Sequence, residues 1–201
     1  MKVDISRYLD LRRDIHCHPE LSNQEIETTE RIWRFLKQDG LALQTFSNCM
    51  GGFVRLDQGK EKTLCMRADI DALPLTEQTG LPFASVNPGV MHACGHDMHT
   101  AIAAGVACEL NRVRDRLNCN LVVLFQPAEE SSPIGGARPI VESGFLEAQR
   151  IDALYGLHNW PSLPVGEIGV KPGAIMAASD RFHIEIIGRT AHAAEPHLGV
   201  D

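Results

Sequence analysis

HDMHTAIAAGVACELNRVRDRLNCNLVVLFQPAEE, residues 96–130, reads as a helix followed by a strand. HDMHTAIAAGVACELNRV takes the helix, with Asp97 as its N-cap. LVVLFQ is an unbroken apolar run of strand length, stopped at Pro127. Upstream, TLCMRADIDALP (63–74) is a second buried strand that runs into a loop at Pro74. Downstream, GGARPIVESG (135–144) starts a helix with Pro139 in its first turn, and IDALYGLHNWP (151–161) is a strand ended by Pro161. The order strand, helix, strand, helix, strand predicts an α/β fold with parallel strands and right-handed crossovers. Nearer the N-terminus, SNQEIETTERIWRFLKQDG (22–40) reads as a further helix. Ser22 and Glu25 have capping-box spacing, Ile26, Ile32, Trp33 and Leu36 supply the apolar positions, and Gly40 closes it.

The pattern changes after Lys171. KPGAIMAASD is loop-like, and RFHIEIIGRTAH alternates Phe182, Ile184 and Ile186 with His183 and Glu185, as a half-exposed strand does. This places a boundary near Ala177, with one domain over 1–176 and the beginning of a second over 177–201. That second unit is short for a domain, as if the chain were cut within it.

Of the 201 residues, 44% are hydrophobic and 22% charged, which is ordinary globular composition. A net charge of −7 argues against nucleic acid as a partner, since that demands a basic face. No apolar run approaches the ~20 residues that span a bilayer, and MKVDISRYLDLRRDIH has no apolar signal-peptide core. The six cysteines are scattered, which suits reduced thiols in a cytoplasmic protein.

Ligands gather beyond the carboxyl ends of strands in an open α/β sheet. Asp69 and Asp71 end the first strand, Glu129 and Glu130 come after the second, and His158 after the third. Cys94 and His96 stand just before a helix. In extended backbone they would point the same way and reach one ion. A thiolate with an imidazole favours zinc, or manganese where carboxylates share the site. Side chains at adjacent positions diverge, so one of Glu129 and Glu130 suits a ligand and the other a base acting on water. Each feature has an ordinary reading alone: turn acids, a solvated Glu pair, a loop histidine. Their convergence on one sheet edge is what points to a site. The chemical rival is Cys94 as nucleophile with His96 as its base, which leaves the glutamates and His158 without work.

Six separated blocks then carry a resemblance: RRDIHCHPELSNQE, MRADIDALP, GVMHACGHDMHTA, FQPAEES with GGA after it, GLHNWP and GRTAHAAEPHLGVD. In this order they resemble the metal-dependent amidohydrolases that include hippurate hydrolase, the auxin-conjugate hydrolases and bacterial N-acyl-amino-acid deacylases. The resemblance implies a three-layer αβα catalytic domain with a largely parallel mixed sheet and an inserted lid that forms a homodimer contact. It implies two divalent ions per subunit, zinc or manganese first and nickel or cobalt next. Cys94 is similar to a bridging ligand, His96, Glu130 and His158 to ligands, Glu129 to the general base, and His192 to a residue that reaches a partner's site to steady an oxyanion. The family's last ligand, a distal histidine, has no counterpart in these 201 residues. The implied reaction is hydrolysis of the amide of a small N-acyl amino acid. Alternatives are a dipeptidase or carboxypeptidase using the same site, and a non-catalytic metal-stabilised binding module. His16 and His18 have no implied ligand role and suit helix-end packing. His99 and Asp71 suit positions behind the ligands, and Asp97 a helix cap or the support of a ligand imidazole.

Overall fold

The computed structural model describes residues 3–131, 135–177 and 182–200. The chain falls into two compact units, Met1–Gly166 and Glu167–Asp201, whereas the sequence pattern puts the change at Ala177.

The first unit is built on a five-stranded sheet of β1 (Gln44–Thr45), β2 (Gly52–Leu56), β3 (Thr63–Asp69), β4 (Asn120–Gln126) and β5 (Ala153–Gly156), in spatial order β1-β2-β4-β3-β5. β3 runs parallel to both β4 and β5, while β2 is antiparallel to β4 and β1 to β2. The sheet is therefore mixed with a parallel core, as expected; the antiparallel edge has no counterpart in the sequence reading.

β4 shows how the sequence makes three layers. Every residue of NLVVLFQ is buried, and its period of two sorts the side chains between two apolar clusters. Leu121, Val123 and Phe125 join Ile15 of α1 (Ser6–Cys17), Ile32 and Leu36 of α2 (Ile26–Lys37), and Ala103, Ala104 and Ala107 of α3 (His96–Arg112). Val122 and Leu124 join Phe53, Cys65, Ile140 of α4 (Ala137–Glu142) and Phe145 of α5 (Phe145–Ala148). Helices thus cover both faces. The alanines of α3 let its backbone lie close to β3 and β4, which carries its first turn up to the carboxyl edge of the sheet. In-register pairing of Asp69 with Gln126, and of Arg67 with Gly156, ends the three parallel strands together.

Two expected caps are not formed. Neither α2 nor α3 has a side-chain cap: Glu25 and Gly95 stand at their N-cap positions, and Asp97 lies inside the first turn of α3. Ser22, Glu25 and Asp97 are instead bonded to distant parts of the chain. In the second unit the segment 182–188 forms no strand, its residues are exposed, and Arg189 and Val200 make only an isolated bridge. An alternating pattern needs a neighbouring strand to complete a ladder, and among the described residues this one has none. Residues 178–181, which end the loop-like stretch and begin the alternating one, lie outside the described residues.

Candidate metal centre

Beyond the carboxyl ends of β3, β4 and β5, the predicted residues meet. Ligand atoms of Cys94, His96 and His158 lie within 4.8 Å of one another, and so do those of His96, Glu129 and Glu130. His96 is shared by both groups. Cys94 and His96 converge by a different route from the extended one expected. Gly95 between them is left-handed at φ +91°, so the thiol leaves the loop and the imidazole starts the helix. Glu129 and Glu130 also converge more closely than adjacent side chains were expected to. Ala128 before them takes φ +53°, uncommon for a residue with a Cβ, and this turns both carboxylates towards His96.

Each loop is held from behind. The carbonyl of Asp71 lies 2.9 Å from His96 Nδ1 and its Oδ1 3.2 Å away, while its Oδ2 accepts from the Glu130 N–H at 2.9 Å and from Ser22 Oγ at 2.7 Å. Asp71 thus fixes the imidazole and the start of Glu130 at once, the arrangement that orients metal-bound histidines. Burial opposes ionisation of Asp71, yet the bonds from His96, Ser22 and Glu130 outweigh it and hold its carboxyl below the usual value. Behind the glutamates, Gly136 donates its N–H to the Ala128 carbonyl at 2.8 Å. A Cβ at Gly136 would fall 1.7 Å from the Pro127 oxygen, so only glycine fits there.

Glu25, read from the sequence as a cap, is fully buried and accepts the Ala128 N–H at 2.7 Å. It holds the turn that carries Glu129. No local pattern marks this role, because its partner lies 103 residues away. Burial raises the Glu25 carboxyl above its ordinary 4.5. A carboxyl raised on folding contributes stability that is present below its unfolded pKa and lost as pH climbs through the folded one. Glu25→Gln keeps the acceptor but cannot ionise. Its stability relative to the parent, measured by denaturant titration, is expected to shift in the variant's favour as pH rises above 4.5; a gap that stays constant with pH would refute this.

The donor set fits a cation. His96 Nε2 is buried without a hydrogen-bond partner and faces Glu130 Oε1 at 3.8 Å and Asp69 Oδ2 at 3.6 Å. Cys94 Sγ lies 3.3 Å from His158 Nε2, whose Nδ1 is engaged by the Asn159 carbonyl at 2.8 Å. Burial, then Glu130, push the Cys94 thiol up to about 12. A divalent ion reverses that balance, since coordination deprotonates a thiol outright. The remaining histidines of the first unit are otherwise placed. His99 is bonded at both ring nitrogens, His16 lies between Asp97 at 3.0 Å and Glu77 at 3.2 Å, and His18 is tied to the Asp14 carbonyl. Asp97 therefore supports His16, with Arg12 also at 3.0 Å, and not a predicted ligand imidazole. His92 is buried with neither ring nitrogen partnered, and burial pulls it down to about 4. In the second unit, His192 is exposed in a short turn and accepts the Ala194 N–H at 3.2 Å.

Residues 65–199 match the model of peptidase family M20/M25/M40. The chain belongs to this family. Over 198 residues it is 46% identical to an N-acetylcysteine deacetylase of Bacillus subtilis, covering 98% of this chain and 51% of that protein. It is 42% identical over 204 residues to an N-acyl-L-amino acid amidohydrolase of Geobacillus stearothermophilus, covering 100% of this chain and 53% of that one. An M20 crystal structure from Bacillus subtilis, described as a dinuclear metal-binding peptidase, superposes with a TM-score of 0.78 at 46% identity, over 84% of this chain and 47% of its own. The chain thus spans about half the length of the curated relatives it matches. The family match covers nearly all of β3, then β4 and β5, with the loops that carry every predicted ligand.

Proposed function

We propose that this chain forms the metal-binding part of an M20 amidohydrolase that cleaves small N-acyl amino acids. The observation that carries the reading is the buried, unpartnered Nε2 of His96, set between the Cys94–His158 pair and the Glu129–Glu130 pair. The names of the two enzyme relatives support the substrate class. Cys94, His96, Glu130 and His158 would hold two divalent ions, zinc or manganese. Such ions supply Lewis acidity towards water and the amide carbonyl. Glu129 takes a proton from the attacking water and returns it to the leaving amine. Burial and the neighbouring Glu130 raise its carboxyl, which suits a group that must accept and release a proton. His192 of the partner subunit donates to the developing oxyanion. Residues 1–176 serve the catalytic domain and 177–201 the lid, through which the protein forms a homodimer. Six free cysteines favour the cytoplasm. Among the described residues, no helix is long and apolar enough to cross a membrane.

The test is elemental analysis of the full-length protein that contains these 201 residues, purified without added metal or chelator, beside a panel of N-acyl amino acids. Close to two ions per chain with amide hydrolysis is expected. A metal-free protein that hydrolyses the panel would overturn the reading.

A further inference from the structure

Asn159 belongs to none of the predicted ligands, yet it touches the supports of two of them. His99 Nε2 lies 3.0 Å from the Asn159 backbone nitrogen and 2.7 Å from the Asn159 side-chain oxygen, and bonds one or the other according to its tautomer. The opposite ring nitrogen of His99 meets Asp69 Oδ1 at 2.6 Å, and Arg67 donates to Asp69 Oδ2 at 2.6 Å. His99 and Asp69 are fully buried. Asn159 is therefore anchored to the end of β3 through a rigid chain of bonds.

From that anchor it reaches both halves of the thiolate–imidazole pair. Its backbone carbonyl, which any residue at this position would offer, lies 2.8 Å from His158 Nδ1, an arrangement that turns Nε2 towards Cys94, so the placing of His158 follows the placing of the Asn159 backbone. The His99 ring also packs edge-on against the His158 ring, 4.6 Å between centroids. On the other side, the Asn159 amide lies flush on Gly95, the residue between Cys94 and His96. A Cβ at Gly95 would sit 2.4 Å from Asn159 Oδ1 and 2.8 Å from its Cγ. The glycine is thus required twice, by its left-handed φ and by the amide that fills the space above it.

We infer that Asn159 is a positioning residue: its side chain, held against His99 and seated on Gly95, fixes the backbone that carries His158 against the loop that carries Cys94 before metal arrives. The inference rests on the reading of these two residues as ligands to one ion.

The probe is cobalt(II), titrated into the metal-free full-length protein that contains this chain. A thiolate-to-cobalt absorption band that is present in the parent and lost in Cys94→Ala confirms the ligand reading. Absence of the band in the parent overturns that reading, and the inference with it. Given the band, Asn159→Ala is expected to weaken cobalt binding about 10–100-fold, the usual cost of removing a support behind a ligand. The melting temperature of its metal-free form should stay at the parent's value. Cobalt affinity within about two-fold of the parent overturns the inference. So does a metal-free form destabilised as much as the loaded one, which marks Asn159 as merely structural. Gly95→Ala supplies a second arm, because its Cβ expels the same amide. Combining it with Asn159→Ala should cost no more affinity than Gly95→Ala alone, whereas full additivity would show that the two positions act separately.

Discussion

Glu129→Gln is expected to leave both metal ions bound and to lower turnover by about 10²–10⁴-fold, the range that a positioned general base contributes. The residue emerges from the left-handed turn at Ala128, and its carboxylate has no hydrogen-bond partner among the described residues. Its neighbour differs. The N–H of Glu130 is pinned by Asp71, and its Oε1 faces the unpartnered nitrogen of His96. One of the pair is thus held as a ligand would be, and the other is left free to meet water. Glutamine matches Glu129 in size and shape but cannot take a proton. The change therefore isolates proton transfer from binding, and KM should move far less than kcat. Ion content and kcat, measured on the same preparation, decide the matter. Activity within a few-fold of the parent would remove Glu129 as the base and bring Glu130 forward.

The residues that make this site were legible in the sequence because strand ends are legible. LVVLFQ is a largely apolar run of strand length closed by Pro127, TLCMRAD is a mostly buried strand ending at Asp69, and the residues just past the end of a parallel strand belong to the functional edge. The short β1 and β2 were not legible. GFVRL is buried almost throughout, so it shows no alternation, and its antiparallel pairing with β4 joins residues far apart in sequence. The caps failed for one common reason. Ser22, Glu25 and Asp97 have the right chemistry for helix ends, but each found a buried partner elsewhere: Asp71, Ala128 and His16. A local rule describes what a side chain can bond, and tertiary structure then decides what it does bond. The convergence of Cys94 and His96 was foreseen, but on extended geometry. The actual turn is the left-handed Gly95, with the Asn159 side chain lying against it, and no spacing rule encodes that contact. Asn159 directly succeeds His158 inside the GLHNWP block, and that placement was its signal in the chain.

Cys94→Ala is expected to remove metal and activity together. Its sulfur lies 3.3 Å from His158 Nε2, and these two atoms share a 4.8 Å cluster with His96. Deleting the sulfur removes a donor, not a support. The affinity loss should therefore exceed the roughly 100-fold upper range for outer-shell partners. The thiol's surroundings argue in the same direction. A nucleophilic cysteine needs a lowered pKa, from a helix N-terminus, a cation or a paired imidazolium. Here burial and the carboxylates of Glu130, Asp69 and Glu129 all act to raise it, to about 12. Nor is His96 hydrogen-bonded to the thiol: its Nε2 has no partner, and the imidazole that touches the sulfur is His158, at 3.3 Å. An environment that penalises a free thiolate yet gathers carboxylates and imidazoles around the sulfur is built for a cation. Elemental analysis of the variant, with the N-acyl amino acid assay beside it, separates the two chemistries. A protein that keeps its full metal complement and loses only turnover would return Cys94 to the role of nucleophile.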